Sequence, residues 1–543
     1  MLQRLFNNIS QLSFWWLIPI LALAAWLNSP GIILGDEYVY AKNSIDIANN
    51  TFVNTGHHFD NRFGLLLPMS IFVLLFGTHY TVFFLWPYLS LILLLFISKK
   101  ILKSENQKLS LVTVTLIAIN TAFVRLAGDV SVDLVMTFFL SAAFFITWHT
   151  RQQRMSSTIG GIIVGLSLFL AVATKMTAIF CFPFFGLVFI NDILKKQFFQ
   201  FWKPVIFISL FCFLIYFLAY HLMTGDVFYR FQGLESSHGS GKIVPWNYRN
   251  RPWTDILQRL TLHPVAFFLY APGYGVLMIL SVFSIFYHNL LKKAGIGRFT
   301  AVYFILVTAA FWFGSTSVQQ YNPVVLVERM LLPVLPAASI LTALLFLQKN
   351  NGVLSPSFLV KSRIACILGI LISMALFYIR PDKGVGLFYS IFILGLLFFQ
   401  LKKNLFFSFN TKLLFCVPLF IHHFYRIFFL LPDLPFFTER TFFQNLEKQE
   451  HKTLILTDAR TARMYPALFD FKTSESVQVI DWNEKIDAYF NGQVILHING
   501  YRKTLLEKRQ EQSTPPSEIT DFPKELIFEK SKVRFYLLKT ADK

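Results

Sequence analysis

Apolar stretches of roughly 17 to 25 residues recur along this chain up to about residue 431, each long enough to cross a hydrocarbon core of about 30 Å as a helix. Only helices and closed barrels satisfy their own backbone in that setting, so a multi-span helical membrane protein follows. Composition agrees: 55% of the 543 residues are hydrophobic and 63 are Phe, with a mean hydropathy of +0.53. One soluble core cannot hide that much apolar surface.

The loops between the runs set the orientation. With spans near 12–34, 80–98, 109–127, 133–149, 158–174, 177–191, 204–221, 264–288, 299–316, 330–348, 364–380, 386–401 and 413–431, the bases Lys99, Lys100, Lys103, Arg151, Arg154, Lys195, Lys196, Lys292, Lys293, Lys402 and Lys403 all fall on one side. That side is predicted to be cytoplasmic, with about thirteen crossings. The apolar segment 63–77 is short, and if it crossed, Lys99 and its neighbours would face outward, so it is read as re-entrant or surface-lying. Residues 12–30 continue into Gly31 to Leu34 without a small-residue cleavage site and are kept as the first span. The net charge of +19 sits in short loops and not in a patch, which points to anionic lipid and excludes a nucleic-acid partner. Cys181, Cys212, Cys366 and Cys416 lie in apolar runs without CxxC spacing and imply neither disulfide nor zinc.

These spans divide the chain into a membrane domain, 1–431, with external loops 35–79 and 222–263, and an external α/β domain, 432–543. In the latter, Thr453 to Thr457, Val477 to Ile480 and Val494 to Ile498 read as strands, and Leu526 to Lys539 as a hairpin.

The topology gathers acids and a few isolated cations on the outer face. Asp36 and Glu37 follow span one at the membrane edge, where partial desolvation raises a carboxylate's pKa and makes it a better base. Arg125, Asp129 and Asp133 are spaced four apart, so on a helix they share one face. Ionisable groups at such depth mark functional sites, because each costs free energy to hold there. Arg62, Lys175 and Arg329 reach the same side, and guanidinium groups converging with carboxylates suit a lipid phosphate. The adjacent pairs His57-His58 and His422-His423 point differently and suit metal binding poorly.

In order and sidedness these residues resemble the GT-C glycosyltransferases that use polyprenyl-phosphate sugars, the branch holding aminoarabinose transferases of lipid A and protein O-mannosyltransferases. The resemblance rests on Gly35-Asp36-Glu37-Tyr38-Val39-Tyr40-Ala41, on Arg62 with Leu65 to Pro68 and Phe76-Gly77, on Asp133, on Ala173 to Ala178 around Lys175, and on Glu328 to Pro333. Asn61-Arg62-Phe63 stands where aminoarabinose transferases carry Lys-Pro, and Met330 replaces the usual aromatic. The resemblance implies sugar transfer at the outer face of a bacterial inner membrane, from a polyprenyl-phosphate donor to a lipid A, glycan or protein acceptor. It implies Asp36, Glu37 and Asp133 as catalytic residues, and Arg62, Asp129, Arg125, Lys175, Arg329 and Tyr40 as substrate-binding ones. No cofactor is fixed; a divalent cation at Asp133 and Asp129 is the one candidate. A flippase for a lipid-linked sugar and a polysaccharide ligase or polymerase share this topology and stay open.

Overall fold

A computed structural model of the chain describes residues 17–347 and 435–538, less short stretches of which the longest are 239–247, 485–492 and 504–513. The membrane part runs α1 (Leu17–Leu27), α2 (Asp36–Ala48), α3 (Phe63–Phe76), a 3-10 turn Tyr80–Phe84, α4 (Leu85–Lys103), α5 (Gln107–Ala118), α6 (Thr121–Ala127), α7 (Val132–Arg151) and α8 (Ser157–Thr174). After a 3-10 turn Met176–Cys181 come α9 (Phe182–Leu194), α10 (Phe199–Thr224), α11 (Tyr229–His238), α12 (Trp253–Tyr270), α13 (Tyr274–Tyr287) and α14 (Ile296–Phe313). A 3-10 turn Glu328–Val334 then leads into α15 (Leu335–Leu347). Among the described residues seven helical segments are long and apolar enough to cross a membrane, or eight if the bent pair α5 and α6 counts as one span. The expected count of about thirteen is not confirmed by these residues. The expected spans at 364–380, 386–401 and 413–431 lie outside the described residues. The one at 264–288 is divided between α12, which already begins at Trp253, and α13.

Local chemistry explains where helices stop. Lys100 and Lys103 occupy the last turn of α4, where cations suit the negative end of the helix dipole. Asn106 caps α5 by accepting from the backbone N–H of Lys108 at 2.8 Å. Asn120 caps α6 through Ala122 N–H at 2.9 Å, at a 61° bend. α6 ends at Ala127, and Ser131, through Leu134 N–H at 3.3 Å, caps α7. Arg125, Asp129 and Asp133 therefore do not share a continuous helix: the expected face is broken by the turn at 128–131.

The segment 63–77 is helical and has both ends at the same rim. The Arg62 guanidinium before α3 lies over the Tyr40 ring of α2. Beyond the other end, the Thr78 hydroxyl donates to the Asp470 carbonyl at 2.6 Å and Tyr80 N–H to the Asp470 carboxylate at 2.9 Å. Asp470 belongs to the C-terminal domain, which also receives the Tyr38 hydroxyl of α2 on the Arg463 carbonyl at 3.0 Å.

That domain holds α16 (Pro435–Glu447), β1 (Thr453–Thr457), α17 (Ala459–Met464), β2 (Val477–Asp481), β3 (Gln493–Asn499), β4 (Lys524–Lys530) and β5 (Val533–Leu538). The sheet order is β2-β1-β3-β5-β4, with β2, β1 and β3 parallel and the β4–β5 hairpin antiparallel. The three expected strands and the hairpin are all present. α16 packs on the sheet through Phe442 stacked on Phe535. Its Arg440 grips Asp470 with two hydrogen bonds, 2.9 and 2.7 Å, while lying over the Tyr80 ring. Tyr38 stacks on Phe471 at 5.7 Å, so this domain bears directly on the helix that begins with Asp36 and Glu37.

Candidate active site at one rim of the bundle

Chain direction alternates so that α2, the starts of α3 and α7, the end of α8 and the turn before α15 meet at one rim. One small residue decides how closely. A Cβ on Gly64 would stand 2.1 Å from Thr174 Oγ1 and 2.9 Å from the Leu170 carbonyl, so only glycine lets α3 lie against the end of α8. This contact brings Arg62, just before α3, toward Lys175, just after α8; the two cations sense each other's charge.

Each charge has a local reason for its place. Asp36 and Glu37 are in the first turn of α2 and Asp133 in the first turn of α7, where free backbone N–H groups favour carboxylates. Lys175 is extended and reaches across to Asp133, Nζ to Oδ1 2.6 Å, with both side chains buried. The Met330 sulfur lies 3.1 Å from the same Nζ. Arg329 stands 3.7 Å from Asp36 and half exposed, and also senses the charges of Asp133 and Glu37. Arg125 is 3.6 Å from Glu328. Arg62 lies over the rings of Tyr40 and Phe59, at 5.1 and 5.0 Å, and forms no ion pair among the described residues.

Burial differs from expectation between the two adjacent acids. Asp36 is 37% exposed, whereas Glu37 is 9% exposed. Loss of solvent, and then the neighbouring carboxylates Asp129 and Asp36, hold the Glu37 carboxyl well above the usual carboxylate range. The desolvation expected of Asp36 thus falls on Glu37. The Tyr40 hydroxyl is buried at the same place and has no hydrogen-bond partner among the described residues; burial also pushes its pKa up.

All nine expected site residues are at this rim. Eight are linked by contact or charge around Asp36, Arg329 and Lys175, and Arg125 stands at the flank through Glu328. Glu328 was not singled out as a site residue, although it lies in the quoted Glu328 to Pro333 segment. Also missed were Asp60 and Asn61, buried side chains beside Arg62; their signal was adjacency to a rim guanidinium. Among the described residues no group of three or more His, Cys, Asp and Glu side chains is arranged to hold a metal ion. His422-His423 lies outside the described residues.

Residues 72–223 match the family model described as dolichyl-phosphate-mannose-protein mannosyltransferase. Two solved structures are similar along nearly the whole chain. ArnT from Cupriavidus metallidurans bound to undecaprenyl phosphate superposes with a TM-score of 0.57 at 11% identity, covering 96% of this chain and 97% of that one. The same protein in the apo state gives 0.57 at 10% identity, with the same coverage. No curated protein sequence matches. The chain is an integral membrane protein with an ArnT-like fold, a helical body carrying a small C-terminal sheet domain.

Proposed function

We propose that this protein is a glycosyltransferase that moves a sugar from a polyprenyl-phosphate donor to a hydroxyl or phosphate of a lipid A, glycan or protein acceptor, at the outer face of a bacterial inner membrane. The observation that carries the reading is the meeting of three cations, Arg62, Lys175 and Arg329, with Asp36 and Glu37 at one rim of a membrane bundle. The ArnT structure with undecaprenyl phosphate, on the same fold, supports the donor class.

In the reaction the acceptor oxygen forms a bond to the anomeric carbon while the bond from that carbon to the phosphate oxygen breaks. The electron pair leaves on the phosphate, so the transition state needs positive charge there and no proton donor. Arg62 has no carboxylate partner among the described residues and grips the phosphate bidentately; Arg329, at 3.7 Å from Asp36, swings between that carboxylate and the phosphate. Lys175, locked to Asp133, adds a fixed positive charge. Asp36, at the rim, takes the acceptor's proton. Glu37, holding its proton to higher pH, and the unpartnered Tyr40 hydroxyl donate hydrogen bonds that orient the sugar or acceptor. Asp129 and Arg125 border the acceptor side.

The test is transfer from radiolabelled polyprenyl-phosphate sugars to candidate acceptors, comparing wild type with Asp36→Asn. Loss of transfer with retained donor binding supports the assignment. Movement of a lipid-linked sugar across vesicles with no glycosidic bond made establishes a flippase instead.

A further inference from the structure

Behind Arg62 runs a line of buried polar side chains that the chemistry above does not use. Arg230, on α11, is buried and forms no ion pair among the described residues. One arm of its guanidinium donates to the Val172 carbonyl at 2.7 Å, and the other donates to the Tyr216 hydroxyl. The Tyr216 and Tyr220 hydroxyls are 3.0 Å apart, and the Tyr220 hydroxyl donates to Asn61 Oδ1 at 2.8 Å. Proton directions are forced throughout. A guanidinium only donates and an amide oxygen only accepts, so Tyr216 accepts from Arg230 and donates to Tyr220, which donates to Asn61. The Asn61 amide is itself fixed. Its oxygen also accepts from Asn54 Nδ2 at 2.7 Å, and Asn54 is oriented by Gly56 N–H on its own oxygen at 3.0 Å.

A buried guanidinium without a counterion is costly to hold. Here its field is balanced by aligned hydroxyl dipoles, which polarise one another along the chain. The line ends on the residue next to Arg62. On the other side Asp60, also buried, accepts from Asn43 Nδ2 at 2.9 Å and from Thr55 N–H and Oγ1 at 2.8 and 2.6 Å. α11 presses on the same loop: a Cβ on Gly233 would stand 2.3 Å from the Gly56 carbonyl.

We propose that Arg230, Tyr216 and Tyr220 are positioning residues that hold Asn61, and through it the Arg62 guanidinium, where the donor phosphate binds. The inference rests on Arg62 being the phosphate grip. It makes α11, in the external stretch after α10, a determinant of donor affinity although none of its side chains need touch the donor.

The experiment measures binding of undecaprenyl phosphate to full-length protein in nanodiscs, together with donor KM and kcat. Tyr220→Phe removes one hydroxyl without changing shape. It is expected to weaken undecaprenyl phosphate binding roughly three- to tenfold and to raise donor KM by the same factor with kcat nearly unchanged, as loss of one hydrogen bond predicts. Tyr216→Phe breaks the line one link further away and gives a smaller loss; it carries the test if Tyr220→Phe does not fold. On an Arg62→Ala background neither change has a further effect, which a merely structural role does not produce. Unchanged binding in the tyrosine variants, or full additivity with Arg62→Ala, overturns the relay alone. Failure of wild type to bind undecaprenyl phosphate overturns the donor reading and the relay with it.

Discussion

The two ends of the helical bundle both hold buried ion pairs, and they differ in how completely the carboxylates are paired. At the end carrying the lysines and arginines, Asp192 is fully buried and accepts from both Arg151 and Trp202 Nε1, the latter at 2.9 Å. Glu105 accepts from Arg154 and from Trp148 Nε1 at 3.0 Å. Each carboxylate there has a cation and an indole. At the opposite rim Asp36 meets Arg329 only at 3.7 Å, Glu37 forms no ion pair among the described residues, and Arg62 has ring faces in place of a counterion. Charges that complete one another locally serve folding. Charges left partly unmatched at a membrane rim are available to a ligand, and the proposed phosphate supplies the missing negative charge.

The largest expected difference lies in activity. Asp36→Asn is predicted to lower the transfer rate by about 10²- to 10⁴-fold, the range for loss of a general base, with the thermal midpoint unchanged. Asp192→Asn is predicted to do the reverse. Leaving Arg151 beside a neutral group in a buried site costs about 3–5 kcal/mol of stability, while the folded fraction keeps its turnover per molecule. An Asp192→Asn protein that folds normally but transfers no sugar breaks the comparison.

Lys175 and Asp133 sharpen it, because they are tightly paired and yet belong to the rim. Lys175→Met strands a carboxylate that is 1% exposed and is expected to lower both stability and transfer. Adding Asp133→Leu removes the stranded charge. Stability then returns toward wild type, since a buried pair replaced by apolar groups is often neutral or better, and transfer does not return. Recovery of both marks the pair as structural only.

How much of this was legible in the sequence follows from what periodicity can carry. Span edges fix sidedness, so Asp36, Arg62, Lys175 and Arg329, each at the border of an apolar run, could be placed on one face without coordinates. The α/β domain showed its strands because β-branched alternation is local: β1 has the expected bounds, Thr453–Thr457. Partners were not legible. Which carboxylate Lys175 meets depends on the rotation and closeness of α3, α7 and α8, which Gly64 sets and no period reports. The break in the face of Arg125, Asp129 and Asp133 is written in the sequence, because Gly128 and Ser131 are the residues that end one helix and cap the next. Burial of Glu37 and exposure of Asp36 are adjacent in sequence and opposite in space. α2 presents one to the Asp129 turn and the other to Arg329.

Glu37 gives a pH-dependent effect of intermediate size. Its carboxyl is held above the usual range in the fold, by burial first and then by Asp129 and Asp36, so the protonated form is the favoured one. Its contribution to stability is complete below the unfolded value, about 4.3, and is lost as pH rises through the raised folded value. Glu37→Gln keeps the shape of the protonated carboxyl and cannot ionise. The thermal midpoint of Glu37→Gln relative to wild type is therefore expected to rise between pH 5 and pH 8. A constant difference across that range contradicts the burial of a proton-holding acid.

Lys42 sets the lower limit and separates position from pairing. It lies on α2, the helix that begins with Asp36 and Glu37, and by residue type it is another cation near the rim. It is 52% exposed and paired with Asp46 one helical turn on, a surface contact of the i, i+4 kind. Such pairs contribute at most a few tenths of a kcal/mol and are screened by salt. Lys42→Ala is expected to change the thermal midpoint by less than about 2 °C and to leave donor KM and kcat within about twofold of wild type. If that change instead raises donor KM as Arg62→Ala does, charge anywhere along the rim draws the lipid phosphate. The distinction between completed and uncompleted pairs then gives way to a diffuse field.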